Sequence, residues 1–308
     1  TDTENTFAAM SHLTHNGSNS GQTPPLQPVL LQTLEGHQGA IYDLALTKEG
    51  DLISVGGDGL LVRWSAADRG WATGGKALAK AAAPLFSVCA TESMVLAGTG
   101  DGGVLTLEAG DQWAIKPAHP GGTYVVTPGA TGGADGRWKT WPKGQEVVQV
   151  AGRIRCSIST EVGTFVGTSE GAVHHLDSGA ATAAHEGAVR ALVMWPGKSA
   201  LASVGGDGRL RIWEIETGGR LSSVLSVDAH KGAVYRMAIS PDRRWVATCS
   251  RDKSIAFWNA ETLALETRIA RPHWQGHVRS VNAMVWGENG ALATAGDGGR
   301  ILIWDFTG

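Results

Sequence analysis

Residues 201–215, LASVGGDGRLRIWEI, open with an apolar run, pass through Gly205-Gly206-Asp207-Gly208, and then alternate through Leu210, Arg211 and Ile212 to Trp213. An apolar run, a glycine–aspartate turn and period-two alternation predict a strand, a tight turn and a second strand. Nearly the same text stands at 52–66, LISVGGDGLLVRWSA, and five weaker copies align with it. Anchored on the residue that ends the second strand, the copies fall at Trp64, Leu107, Trp141, Leu176, Trp213, Trp258 and Trp304.

Two spacings hold this set together. Ten residues before each anchor stand Ser54, Ala97, Thr131, Val166, Ser203, Thr248 and Thr294, so the length of strand, turn and strand is constant. Six residues before it, six copies carry an acid: Asp58, Asp101, Asp135, Glu170, Asp207 and Asp252. In the seventh copy that position holds Gly298, and the acid, Asp297, lies one place earlier. A histidine recurs upstream of the acid as His37, His185, His230 and His277, with His119 nearer to its acid; the second and fourth copies lack one. Val29 to Gly308 averages 40 residues per copy. Such a period predicts small units that bury their apolar faces by stacking on their neighbours.

The segments LEGHQGAIYDLAL…LISVGGDGLLVRW and DAHKGAVYRMAISPDRRWVATCSRDKSIAFW resemble the WD-repeat family, whose copies each build one four-stranded blade. Copies one, five and six match closely, three and seven fairly, and two and four are degenerate. The resemblance implies an all-β fold: a seven-bladed β-propeller of four-stranded antiparallel blades. The chain would begin with a fourth strand and end with three, so residues 29–34 would close the ring as the outer strand of the C-terminal blade. Closure leaves only short, protected edges.

The same resemblance implies hydrogen-bonded chains within blades: His37–Ser54–Asp58–Trp64, His185–Ser203–Asp207–Trp213, His230–Thr248–Asp252–Trp258 and, in the third copy, His119–Thr131–Asp135–Trp141. The chemistry is sound, because a carboxylate accepts from imidazole and a buried indole N–H needs an acceptor. Blades two and four, with Leu107 and Leu176 at the anchor, are expected to pack without such a chain and to be locally less stable.

Composition narrows the picture. The 308 residues are 42% hydrophobic and 18% charged, enough apolar material for a folded core, and 43 glycines without a triplet period suit many tight turns. A net charge of −3 gives no global attraction to nucleic acid or an acidic membrane surface. Cys89, Cys156 and Cys249 are odd in number and each sits in a strand-like run, which reads as free thiols in a reducing, cytoplasmic setting. No run is long enough for a membrane helix, and the first residues lack the pattern of a secretion signal. Residues 1–28, with Pro24, Pro25 and Pro28 among Ser, Thr, Asn and Gly, read as a flexible tail, and 29–308 as the propeller. Met10 is open to two readings, an internal methionine or a natural start preceded by added residues.

Several motifs suggest catalysis but sit in the wrong context. GTSEG at 167–171 has the Gly-x-Ser-x-Gly pattern, yet Ser169 occupies the turn of the fourth copy, where no helix is expected to follow. GTGDGG at 98–103 is the same turn in the second copy, ahead of the strand VLTLEA. His174 and His175 are adjacent on a strand and point to opposite faces, a poor geometry for one metal. His12 and His15 lie in the tail. The recurring acids and imidazoles are spread round a ring and read as structural pairs, so no catalytic residue, metal or cofactor is expected.

The fifth residue after each histidine points away from the apolar residue that begins the inner strand. In this family that position commonly lies on the face around the central channel where partners dock. Applied across the set, with the strand pattern used where the histidine is missing, it selects Tyr42, Phe86, Tyr124, Arg155, Arg190, Tyr235 and Asn282, and Arg153 and Arg251 would add positive charge to the same face. Tyrosine and arginine are favoured at interfaces because they bury area at low rotamer cost and keep polar ends. The expectation is a monomeric, non-enzymatic scaffold binding a protein or peptide, with arginines suited to acidic or phosphorylated groups. A propeller hydrolase or lyase with a channel-mouth site and a nucleic-acid-binding propeller are the alternatives. The first needs clustered acids or metal ligands on the inner strands, and the second a broader basic stripe.

Overall fold

A computed structural model of the protein describes residues 26–307, apart from 109, 198 and 272–274. Twenty-eight strands form seven four-stranded antiparallel sheets, one per repeat. Blade 1 takes residues 41–80, blade 2 85–117, blade 3 123–149, blade 4 154–183, blade 5 189–228, blade 6 234–269, and blade 7 281–307 together with Gln27–Glu35. Within blades 1 to 6 successive strands pair in sequence order from the channel outwards, and in blade 7 the outermost strand is Gln27–Glu35.

The ring closes where the repeat count demanded. Gln27–Glu35 pairs antiparallel with Arg300–Thr307, from Gln27 opposite Thr307 to Glu35 opposite Arg300. The strand begins two residues before Val29, and Leu26 is buried beside Trp245 and Trp286. The last three residues of the stretch assigned to a tail therefore belong to the propeller; the remainder of that stretch, with His12 and His15, lies outside the described residues.

Each blade is apolar on both faces because it is a spoke between two neighbours, and the core is accordingly seven wedges. Between blades 5 and 6 the wedge is thick, with Trp195, Val204, Ile212, Val246 and Trp258 all buried. On either side of blade 3 it is thin: Leu96, Val104 and Val126 towards blade 2, and Val125, Trp138, Ile154 and Val166 towards blade 4. Leu107 packs as expected among Ile53, Leu61 and Leu105. Leu176 lies just past its strand and is only half-buried.

The inner hairpin turn needs a left-handed residue after the acid, which explains the recurrent Asp-Gly. Gly59 has φ +74° and Gly208 +78°. Blade 6 places Lys253 there at φ 76°.

Candidate functional site: the channel mouth

All seven inner strands carry the same irregularity. The antiparallel register to the second strand slips between Ile41 and Asp43, Leu85 and Ser87, Thr123 and Val125, Ile154 and Cys156, Val189 and Ala191, Val234 and Arg236, and Val281 and Ala283. The skipped residue is in every case the fifth after the histidine position: Tyr42, Phe86, Tyr124, Arg155, Arg190, Tyr235 or Asn282. A bulge leaves its extra residue unpaired and re-aims its side chain. Repeated around the ring, it aims seven side chains at one point.

These seven residues, with Arg236 and Asp297, line one cavity of about 260 Å³ at the channel mouth. Its two halves differ. From blades 1 to 3 the rings of Tyr42, Phe86 and Tyr124 form a row with centroids 5.4 and 5.3 Å apart. The Tyr42 ring lies over Gly57, where any side chain would meet its hydroxyl. From blades 4 to 6 the lining is cationic: the Arg155 guanidinium sits 4.3 Å from the Tyr124 ring centre and that of Arg190 5.3 Å from Tyr235. Both contacts fall in the cation–π range. Neither arginine has an acidic partner among the described residues. Arg190 Nε is buried without a hydrogen bond. Burial lowers the pKa of both guanidiniums, and for Arg155 the charge of Arg190 adds to it. An arginine stays protonated under such pressure, so the mouth stores uncompensated positive charge.

The sequence did not single out Arg236 as part of this site. It follows Tyr235 on the inner strand of blade 6, and its Nη2 lies 2.9 Å from Asp43 Oδ1 on blade 1. Asp43 also accepts the N–H of Val88, at 3.0 Å, on blade 2. The Asp43 carboxylate is the leading cause that holds the Arg236 pKa up. Arg236, like Tyr124 and Arg155, lines both the mouth and a second cavity of about 270 Å³ in the channel. Arg251, assigned to the same face, is exposed and is not among the residues lining the mouth, and neither is Arg153.

The structural chains link indole, hydroxyl, imidazole and acid. In blade 5 the Trp213 indole donates to Ser203 Oγ at 2.8 Å, and Ser203 lies 2.8 Å from His185 Nε2. His185 Nδ1 lies 2.8 Å from Asp207 Oδ1 and 2.6 Å from Arg211 Nη1. An indole only donates, so Ser203 Oγ accepts from Trp213, while Nδ1 faces both a carboxylate acceptor and a guanidinium donor. The imidazole is neutral, consistent with burial lowering its pKa. Blade 1 repeats this at 2.9, 2.8 and 3.0 Å. Blade 6 does so at 3.0, 2.9 and 3.2 Å.

Blade 3 departs from expectation. His119 reaches Thr131 at 3.0 Å and Asp135 at 2.8 Å. Trp141, however, makes no side-chain hydrogen bond to Thr131. The third strand ends at Thr140, and the Trp141 ring packs instead on Leu96, Val104 and Val126. Blade 7 has the opposite gap: Trp304 and His277 both meet Thr294 at 2.9 Å, but no acid among the described residues reaches the imidazole.

The motifs set aside as catalytic sit in turns. Ser169 is followed by the strand Ala172–His175, and its Oγ accepts from Arg153 N at 2.9 Å. Gly103 begins a strand. His175 is buried and bonded to Ser178 and Val162 O, both at 2.8 Å, while His174 is half-buried with Nε2 unpartnered. Burial pushes the thiols of Cys156 and Cys249 up to about 12.

A closed ring of seven such blades defines a seven-bladed β-propeller with a functionalised channel mouth. The model of the WD domain, G-beta repeat, matches residues 28–65, 179–214, 221–259 and 270–305, which take in the three inner strands of blades 1, 5, 6 and 7, the first three matches beginning on the outer strand of the preceding blade. The chain carries WD40 repeats built into a seven-bladed β-propeller. Among solved structures it is similar to the WD40 β-propeller domain of Doa1, at 20% identity and a TM-score of 0.77, covering 91% of this chain and 97% of that one. Comparison with curated protein sequences finds no match.

Proposed function

We propose that the protein is a non-enzymatic scaffold whose channel mouth docks an extended segment of a partner protein through an acidic or phosphorylated side chain. WD40 propellers typically serve as protein-interaction scaffolds, and a rigid disc with one shaped opening suits that role. The observation that carries the reading is the pair Arg155 and Arg190, half-buried, without acidic partners, and propped on tyrosine rings. Guanidiniums held this way bind carboxylate or phosphate with little further ordering. The flanking aromatic row supplies apolar area for neighbouring residues of the segment. Asp58, Asp135, Asp207 and Asp252 are engaged with their histidines inside the blades, which argues against the hydrolase or lyase alternative. In the same reading the disc acts as a monomer in a reducing cytoplasm.

A peptide display library panned against the purified protein tests this. Enriched sequences should carry Asp, Glu or phosphoserine, and Arg190→Ala/Tyr235→Ala should abolish their binding while melting like the wild type. Enrichment indifferent to acid, or unchanged binding by the double variant, would refute it. Capture dominated by oligonucleotides and lost steeply with salt would favour the nucleic-acid reading.

A further inference from the structure

Six repeats place an acid six residues before the anchor, and the seventh does not. There Gly298 holds that position and Asp297 comes one residue early. The displacement has two consequences. His277, 8% exposed, keeps its contact to Thr294 but has no carboxylate, and burial pushes its pKa down to about 4. Asp297 meanwhile lines the channel mouth. Its Oδ1 accepts from Asn282 Nδ2 at 2.8 Å, and Asn282, the bulged residue of blade 7, also donates to Ile41 O at 3.1 Å. The carboxylate is half-exposed, and among the described residues its second oxygen makes no hydrogen bond and no cation pairs with it. A repeat that gives up its own brace while delivering the acid to a cavity is a local rule broken where function is expected.

Asp297 and Asn282 belong to blade 7, whereas Arg155 and Arg190 belong to blades 4 and 5, three and two blades away round the ring. One small cavity therefore presents a free carboxylate at one edge and two free guanidiniums at the other, without these neutralising each other. We propose that Asp297, positioned by Asn282, is a cation subsite that takes the ammonium or guanidinium of a lysine or arginine in the same peptide whose acid is gripped by Arg155 and Arg190. The recognised segment is then dipolar and lies in one direction, base over blades 7 and 1, acid over blades 4 and 5. This rests on the reading that the mouth binds a peptide. Charge complementarity of this kind chiefly sets register and rejects wrong partners.

The test is an array of synthetic peptides in a Gly/Ser background, each with one Glu or phosphoserine and one Lys at separations of roughly one to six residues, alongside acid-only versions. Wild type should prefer acid-plus-lysine peptides of a narrow range of separations by about ten-fold over acid-only ones, the effect of one partly exposed charge pair. Asp297→Asn, which keeps the acceptor for Asn282, should erase that preference while retaining acid-dependent binding. Asp297→Glu should restore part of it, and thermal melts should show both variants folded. Arg155→Gln/Arg190→Gln should lose the acid dependence. Acid-dependent binding indifferent to lysine, or a lysine preference that survives Asp297→Asn, overturns the cation subsite but leaves the proposed function standing. Absence of any acid-dependent binding overturns both.

Discussion

Arg236 on the inner strand of blade 6 reaches Asp43 on the inner strand of blade 1 at 2.9 Å, a link that skips blade 7 and crosses the channel. Their side chains are only 25% and 13% exposed, so each charge depends on the other. Removing one partner strands the second in a poorly solvated place. Asp43→Ala is expected to cost about 2–3 kcal/mol, below the range for a fully buried pair because the guanidinium keeps some water. Asp43→Leu/Arg236→Met should be more stable than Asp43→Ala alone. Thermal melts of the three variants decide it, and a double variant less stable than the single would contradict the argument.

In blade 6 one hydroxyl serves two buried groups, since Thr248 Oγ1 accepts from Trp258 and meets His230 Nε2. Thr248→Val keeps the shape but leaves both ring nitrogens without their partner. We expect a loss of about 2–3 kcal/mol, or about 2–4 °C of Tm for each kcal/mol in a chain of this size. Ala97→Val in blade 2, where no chain exists, tests packing alone and should not reproduce a polar penalty. A loss below about 0.5 kcal/mol for Thr248→Val would show that the chain does not brace the blade.

The same chains set a pH dependence. His37, His185, His230 and His277 have folded-state pKa values lowered by burial, His277 to about 4. Between that value and the ordinary one near 6.5 the unfolded chain binds protons that the folded chain does not. Stability therefore falls as pH drops through this window and levels off below it as far as the histidines are concerned. For His277 alone the loss is on the order of 3 kcal/mol. Asp207, held at about 2, adds a further loss as pH falls below the ordinary aspartate value of 3.8. Tm should thus decline from pH 7 to pH 4, and a Tm flat over that interval would contradict neutral buried imidazoles.

Gly298 offers a repair. A Cβ there meets nothing within 4 Å and its φ is ordinary. Gly298→Asp puts the acid where Asp58, Asp207 and Asp252 stand, within reach of His277 Nδ1. It should raise stability at pH 7 by about 1 kcal/mol, the net worth of one added hydrogen bond, and flatten the decline between pH 6.5 and 4. Unchanged melts at both ends of the range would show that the missing acid is not what distinguishes blade 7.

The ring was legible because the repeat is written in positions that the backbone constrains. Apart from the displaced acid of the seventh copy and Lys253 in the sixth, the turn acid, the left-handed glycine and the anchor keep fixed offsets whether or not Trp is present, so even the blades ending in Leu107 and Leu176 could be counted. The mouth was legible for a related reason: the bulge falls at one offset from each histidine, and Tyr42 to Asn282 could be read off without knowing that a bulge existed. What stayed hidden depends on contacts across the ring. Nothing local in VYRMAI indicates that Arg236 meets Asp43, far away in sequence. The early acid in blade 7 was visible as a slip, but only the fold shows that Asp297 turns into the channel beside Asn282. Trp141 has the right offset, yet its strand ends too soon for its indole to join the chain.

Amide NMR of the isotope-labelled protein, titrated with a peptide selected from the display library, tests most directly whether the seven bulged positions act as one docking mouth. Perturbations should concentrate at Tyr42, Phe86, Arg155, Arg190 and Asn282 and leave the outer strands unmoved. Perturbations centred on the outer strands would contradict it.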